Sequence, residues 1–280
     1  RLDSLDGDTL RDTVYSWSAG FGAAGTYTVR FVATDDRSPA LSDTAAVEIT
    51  VSDVTPPTVG TREPADNAGN VRVTADLVLT FSEAVNADSG DVRIRRSSDD
   101  GLFETIPVGG NRVTGKGTDV ITINPAGTFA GETAYYVEID SSAFEDLSGN
   151  RYAGIDSKTA WNFTTEDIDA PEVSAFSPGD GATGVASNAN LVVTFSEPVV
   201  RVSGDIRIRL SSSDAVFATI SVNSGRVTGS GTSVITIDPS GTFTGGTGYY
   251  VEIDSTAFDD AAGNSYAGIS STTTWNFTTA

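Results

Sequence analysis

Hydrophobic and polar positions alternate one by one along much of this chain. Within 25–33, Tyr27, Val29, Phe31 and Ala33 fall on one parity, the pattern of a strand with one apolar face. Residues 44–51 predict its partner, and Asp35, Asp36 and Pro39 supply the turn between them. Further strands are expected at 76–81, 91–96, 102–108, 120–123, 133–139 and 160–164. The Gly, Asn, Asp and Ser clusters separating them are the residues that turns require. No stretch keeps an i, i+3, i+4 apolar pattern for three turns, so the expected fold class is all-β.

The pattern is written twice. Phe81 and Phe195, Asn150 and Asn264, and Trp161 and Trp275 all stand 114 residues apart. A period of this length is a whole domain, not a solenoid turn. About seven strands in roughly 110 residues predict an immunoglobulin-like β-sandwich, with Trp161 and Phe163, and likewise Trp275 and Phe277, sharing the core face of each final strand. The division expected is 1–54, 55–169 and 170–280. Pro56, Pro57 and Pro171 mark short stiff connectors, so the sandwiches are read as beads on a rod. The leading segment is short for a sandwich and is expected to be part of one, its open edges inviting a strand from another chain.

Composition narrows the function. The 280 residues hold 38 Asp and Glu against 17 Lys and Arg, a formal charge of −21, which argues against nucleic-acid and anionic-membrane partners. No Cys and no His are present, which removes thiol nucleophiles, His-based triads, disulfides and the usual zinc sites. No apolar run approaches the 18 residues of a membrane span. No leader pattern opens the chain, so an extracellular reading makes it a fragment or a processed piece. Abundant Asp suits Ca²⁺, which takes oxygen ligands.

Ordered motifs then carry a resemblance. Pro64-Ala-Asp-Asn-Ala-Gly69, Leu79-Thr-Phe-Ser-Glu-Ala-Val85, Ile123-Asn-Pro125, Tyr135-Tyr-Val137, Asp146-Leu-Ser-Gly-Asn150 and Trp161-Asn-Phe-Thr-Thr165 recur in the second copy, for example as Val193-Thr-Phe-Ser-Glu-Pro-Val199 and Asp260-Ala-Ala-Gly-Asn264. The set resembles the bacterial Ig-like domain of the SbsA S-layer type, in two tandem copies over roughly 220 residues. Residues 24–35 with 46–53 resemble the last two strands of cadherin-like or putative-Ig domains of bacterial surface proteins. The resemblance implies modules of large secreted or surface-anchored bacterial proteins without an activity of their own.

Candidate chemistry is carboxylate chemistry. Glu83 with Asp146, and Glu197 with Asp260, are the pairs a glycosidase would need, but a sandwich filled by its own side chains builds no cleft around them, and no enzyme activity is expected. Arg93, Arg95 and Arg96, with Arg207 and Arg209, make a basic stripe; cross-strand pairing with acids explains it better than glycan docking. Asp3, Asp6 and Asp8 are a further possible Ca²⁺ loop. The sharper expectation is a Ca²⁺ at each domain junction. If 76–81 and 133–139 are strands B and F, their following loops share a pole with the incoming connector. That pole gathers Asp53, Glu83, Asp88, Asp140, Glu145 and Asp146 in the first copy. In the second it gathers Asp167, Asp169, Glu197, Asp254, Asp259 and Asp260. Crowded carboxylates repel unless a cation neutralises them. The competing reading makes 146–150 a tight turn with Gly149 or Asn150 at positive φ.

The expected function is a non-catalytic spacer of a bacterial extracellular or cell-surface protein, as adhesin stalk, S-layer or filament component, whose partners are neighbouring domains or subunits of the same protein. The alternatives are a carbohydrate-binding adhesion module for a cell-surface glycan and an accessory domain of a secreted polysaccharide-degrading enzyme.

Overall fold

The computed structural model describes residues 24–35, 37–239 and 241–280; the acidic run at Asp3, Asp6 and Asp8 lies outside them. Every regular element among the described residues is a strand. The chain falls into two compact units, one running to Ala68 and again over Thr74–Thr128 and Ala134–Phe163, the other over Gly69–Val73, Phe129–Thr133 and Thr164–Ala280.

The described part of the leading segment is a two-stranded antiparallel ribbon, β1 (Gly25–Thr34) and β2 (Ser42–Val51). Its register sets Tyr27 opposite Ile49, Val29 opposite Val47 and Phe31 opposite Ala45, so one face is apolar, as the alternation predicts.

The first copy is built from β3 (Val59–Glu63), β4 (Ala68–Val71), β5 (Leu77–Ala87), β6 (Asp91–Arg96), β7 (Leu102–Pro107), β8 (Val113–Thr114), β9 (Thr118–Ile123), β10 (Ala134–Ile139), β11 (Phe144–Asp146) and β12 (Asn162–Thr165). One sheet runs β4-β12-β10-β6-β7; the other runs β11-β5-β9-β8, with β3 also on β5. The second copy repeats the plan with β13 (Val173–Ser177), β14 (Ala182–Val185), β15 (Leu191–Arg201), β16 (Asp205–Leu210), β17 (Val216–Ser221), β18 (Val227–Thr228), β19 (Thr232–Ile237), β20 (Gly248–Ile253), β21 (Phe258–Asp259) and β22 (Asn276–Thr279). Its sheets are β13-β15-β19-β18, with β21 on β15, and β14-β22-β20-β16-β17. Within the second sheet β14 lies parallel to β22.

The cores follow the two-residue period. Leu77, Leu79, Phe81 and Val85 are buried, as are Leu191, Val193, Phe195 and Val199. Trp161 and Trp275 are fully buried, and each indole N–H donates to a proline carbonyl, Pro64 at 2.7 Å and Pro178 at 2.8 Å. That bond matters because a buried indole N–H left unpaired would cost the desolvation of the group.

One element is longer than the sequence suggests. The strand expected to end at Phe81 continues to Ala87, through a break in register between Thr80 and Val85. Its far end pairs with β11, which sets Phe144 opposite Ala87 and Asp146 opposite Val85. Glu83 therefore belongs to a strand, on the same parity as Phe81 and Val85, and not to the loop assigned to it. A charged residue at a core-parity position reads as the end of a strand in sequence; here it sits within one, at the break in register. The short strands β3, β4, β8 and β11 are likewise absent from the periodicity, because two to five residues hold too few alternations to register.

Candidate metal centres

Each copy gathers three carboxylates. Asp146 ends β11 and opens a tight turn: its Oδ1 accepts the backbone N–H groups of Ser148 and Asn150, both at 2.8 Å, and its Oδ2 accepts Asn150 Nδ2 at 2.7 Å. Gly149 closes the turn with φ of 88°, a conformation that glycine adopts without steric cost. The same Asn150 Nδ2 donates to the backbone carbonyl of Asp53 at 3.1 Å. Asp53 in turn fixes the connector ahead of β3, its Oδ1 accepting the N–H of Thr55 at 2.9 Å. Glu83 arrives from the break in β5. The three side chains place carboxylate oxygens within 4.8 Å of one another.

The second copy repeats this set with Asp260, Asp167 and Glu197, again within 4.8 Å. Asp260 Oδ1 accepts the N–H groups of Gly263 at 2.7 Å and Asn264 at 2.8 Å, and Oδ2 accepts Asn264 Nδ2 at 2.8 Å. Asn264 also donates to the Asp167 carbonyl at 3.3 Å, and the N–H of Asp169 donates to Asp167 Oδ1 at 3.0 Å. The tight-turn and acid-cluster readings thus describe one structure, because the turn is what holds Asp146 and Asp260 in place.

The electrostatics divide each triad. Asp146 and Asp260 are only 2% exposed. Burial pushes both up, but hydrogen bonds from the Asn150 and Asn264 side chains and from the turn amides outweigh it and hold both carboxyls below the ordinary range. Glu83 goes the other way: burial, then the charges of Asp146 and Asp53, raise it. Glu197 is raised by burial and by Asp260, Asp167, Glu132 and Asp169. Glu83 Oε1 is buried and accepts no hydrogen bond from the described residues. A buried carboxylate oxygen without a donor is costly. Three convergent carboxylates offer a hard, all-oxygen donor set that suits Ca²⁺, whose remaining positions carbonyls or water would complete. The residues present fit such an ion.

The remaining candidate acids fall outside the triads. Asp140 takes Arg93 in a two-pronged pair at 2.6 and 3.1 Å and also accepts the N–H of Asp91. Asp254 holds Arg207 in the same way at 2.6 and 3.3 Å. Asp88 pairs with Arg151 at 2.8 Å. Glu145 and Asp259 lie on β11 and β21, opposite Asn86 and Val200. Asp169 is exposed and lines a cleft of about 770 Å³ with Glu172, Ser196, Glu197 and Tyr266. Most of the basic stripe pairs across the sheet, Arg95 with Glu138 at 2.9 Å and Arg209 with Glu252 at 2.7 Å, beside the Arg93 and Arg207 pairs, whereas Arg96 pairs locally with Asp99 at 3.0 Å. Asn150 and Asn264, which tie the connector to the turn, were legible only as turn residues; their signal is the repeated Asp-x-x-Gly-Asn spacing.

Comparison with curated proteins gives no match. Among solved structures, an I-band fragment of titin is similar at 7% identity and a TM-score of 0.35, over 80% of this chain and 65% of that one. The chain thus spans less than two thirds of that fragment. Fibronectin(III)-like modules of Clostridium thermocellum CbhA are similar at 14% identity and a TM-score of 0.20, over 80% of this chain and 93% of theirs. A family model for the bacterial Ig-like domain matches residues 53–165 and again 167–279. With most of its length in two tandem matches and an all-β double sandwich, the chain belongs to the bacterial Ig-like domain family.

Proposed function

We propose that this chain is a non-catalytic spacer segment of a bacterial extracellular or cell-surface protein, of the kind found in adhesin stalks, S-layers or filaments, and that each carboxylate triad takes one Ca²⁺. Its partners are the neighbouring domains of the same protein. The observation supporting this reading is the repeated triad itself: each copy adds a connector aspartate, Asp53 or Asp167, to a strand glutamate and a buried turn aspartate of the following sandwich. The ion would supply positive charge that relieves the mutual repulsion of the three carboxylates. Binding there fastens the connector to the sandwich after it and removes freedom from the segment where a spacer would bend. Thermal melting and small-angle scattering of the full chain, with Ca²⁺ and with excess chelator, test the reading. It expects a higher melting temperature with Ca²⁺ and a smaller maximum dimension or broader distance distribution when the ion is stripped. Identical curves in both conditions would overturn it.

A further inference from the structure

In the second copy, the segment joining β17 to β18 turns several backbone carbonyls toward one point. Arg201, the last residue of β15, donates from a single nitrogen, Nη1, to the carbonyls of Val222 at 3.3 Å, Ser224 at 3.1 Å and Val227 at 2.7 Å. Two of the segment's amides turn away from this point, Val222 donating to Gly204 and Ser224 to Ser221, while the N–H of Val227 shares the Ser224 carbonyl with the guanidinium. Convergent carbonyl dipoles make a point of negative potential, which favours a cation.

The first copy has Ala87 where Arg201 stands, so the same guanidinium is missing. It has instead Lys116 where the second copy has Ser230. Lys116 Nζ donates to the carbonyls of Gly109 and Gly110, both at 3.1 Å, in the corresponding segment between β7 and β8. Gly110 and Ser224 are equivalent positions in the 114-residue repeat, so both cations reach the same carbonyl from different elements. Positions 201 and 230 are themselves neighbours, the N–H of Arg201 donating to Ser230 Oγ at 3.2 Å. The pair reads Ala and Lys in one copy, Arg and Ser in the other: one cation each time, from opposite sides of the same contact.

We propose that these two turns are monocation sites, each a carbonyl cluster selective for an ammonium or guanidinium group, which the fold fills from within through either of two adjacent positions. The sites are separate from the carboxylate triads and do not depend on Ca²⁺.

The test is amide hydrogen exchange across 221–228 in the full chain, with the β19 amides of 232–237 as internal reference. Arg201→Ala is expected to speed exchange in 221–228 by about ten- to a hundredfold and to leave the reference unchanged. Arg201→Ala with Ser230→Lys is expected to restore protection to within about threefold, and millimolar methylguanidinium to slow exchange in the single variant alone. Wild-type exchange in Arg201→Ala, or a double variant as fast as the single, would overturn the proposal. If Arg201→Ala fails to fold, the swap in the first copy decides the matter. There Lys116 is exposed, and Lys116→Ala should loosen 107–114 while Ala87→Arg with Lys116→Ala should restore it; a swap that restores nothing would again be contrary.

Discussion

Glu83 and Asp146 bring carboxylate oxygens within 4.8 Å of each other, from β5 and from the turn after β11, and the structure holds their acidities apart in opposite directions. A raised carboxyl favours folding below its unfolded value, about 4.3 for Glu, and that benefit disappears as pH rises through the higher folded value. In chelator at neutral pH the ionised Glu83 therefore weighs against the fold. Glu83→Gln should raise the melting temperature of the chelated protein, by an amount that grows with pH, and should abolish the gain that Ca²⁺ gives at the first centre. A Glu83→Gln protein less stable than wild type in chelator would mean that the carboxylate is satisfied by the fold itself.

The two centres are expected to differ in affinity. At the positions of Thr55 and Thr58 the second copy has Asp169 and Glu172, both lining the cleft that Glu197 also lines, and Glu132 adds its charge to Glu197. Further negative charge close to a site strengthens its hold on Ca²⁺, so the second centre should bind at least about tenfold more tightly than the first. Calorimetric titration of Glu83→Gln, which leaves the second centre, against Glu197→Gln, which leaves the first, measures each alone. Equal constants would refute the ordering without touching the proposal that both bind.

The tryptophans carry the cores. Trp161→Ala and Trp275→Ala should each cost on the order of 3 to 5 kcal/mol in urea unfolding of the affected copy. Trp161→Phe should cost less in volume but leave the Pro64 carbonyl without its donor, a loss of about 1 to 3 kcal/mol. A Trp161→Ala protein with an unchanged unfolding midpoint would overturn the core assignment.

Acid should undo the cross-strand pairs. The Arg93 guanidinium holds the Asp140 carboxyl below its ordinary range, and Arg207 does the same for Asp254. A depressed carboxyl contributes stability that is present above its unfolded value, about 3.9, and is lost as pH falls through the lower folded value. Asp140→Asn should therefore be less stable than wild type at neutral pH, and the difference should shrink toward zero as pH falls below the unfolded value and through the lower folded one. A difference that stays constant with pH would assign the loss to packing instead of charge.

Much of this fold can be read from alternation. The 114-residue offset sets the two copies, β6 falls on the expected residues, and the parity of Trp161 with Phe163 places both in the core, where they are buried. Glu83 shows where the reading fails. Its carboxylate on a core-parity position is a break in the pattern, so the legible alternation stops before it. The acids could be counted from the sequence but not sorted. Asp140 and Asp146 stand six residues apart in one loop region, yet Asp140 faces Arg93 across β6 and β10, while Asp146 turns toward Glu83. That choice depends on cross-strand register, which two-residue alternation leaves open.

Isothermal titration of the chelator-stripped full chain with Ca²⁺ decides whether the two triads are cation sites. Saturable binding of two ions per chain is expected, one at each triad, and none when Glu83→Gln and Glu197→Gln are combined in a protein that still melts cooperatively. No saturable binding to the wild type, or the same two ions bound by the double variant, would contradict it.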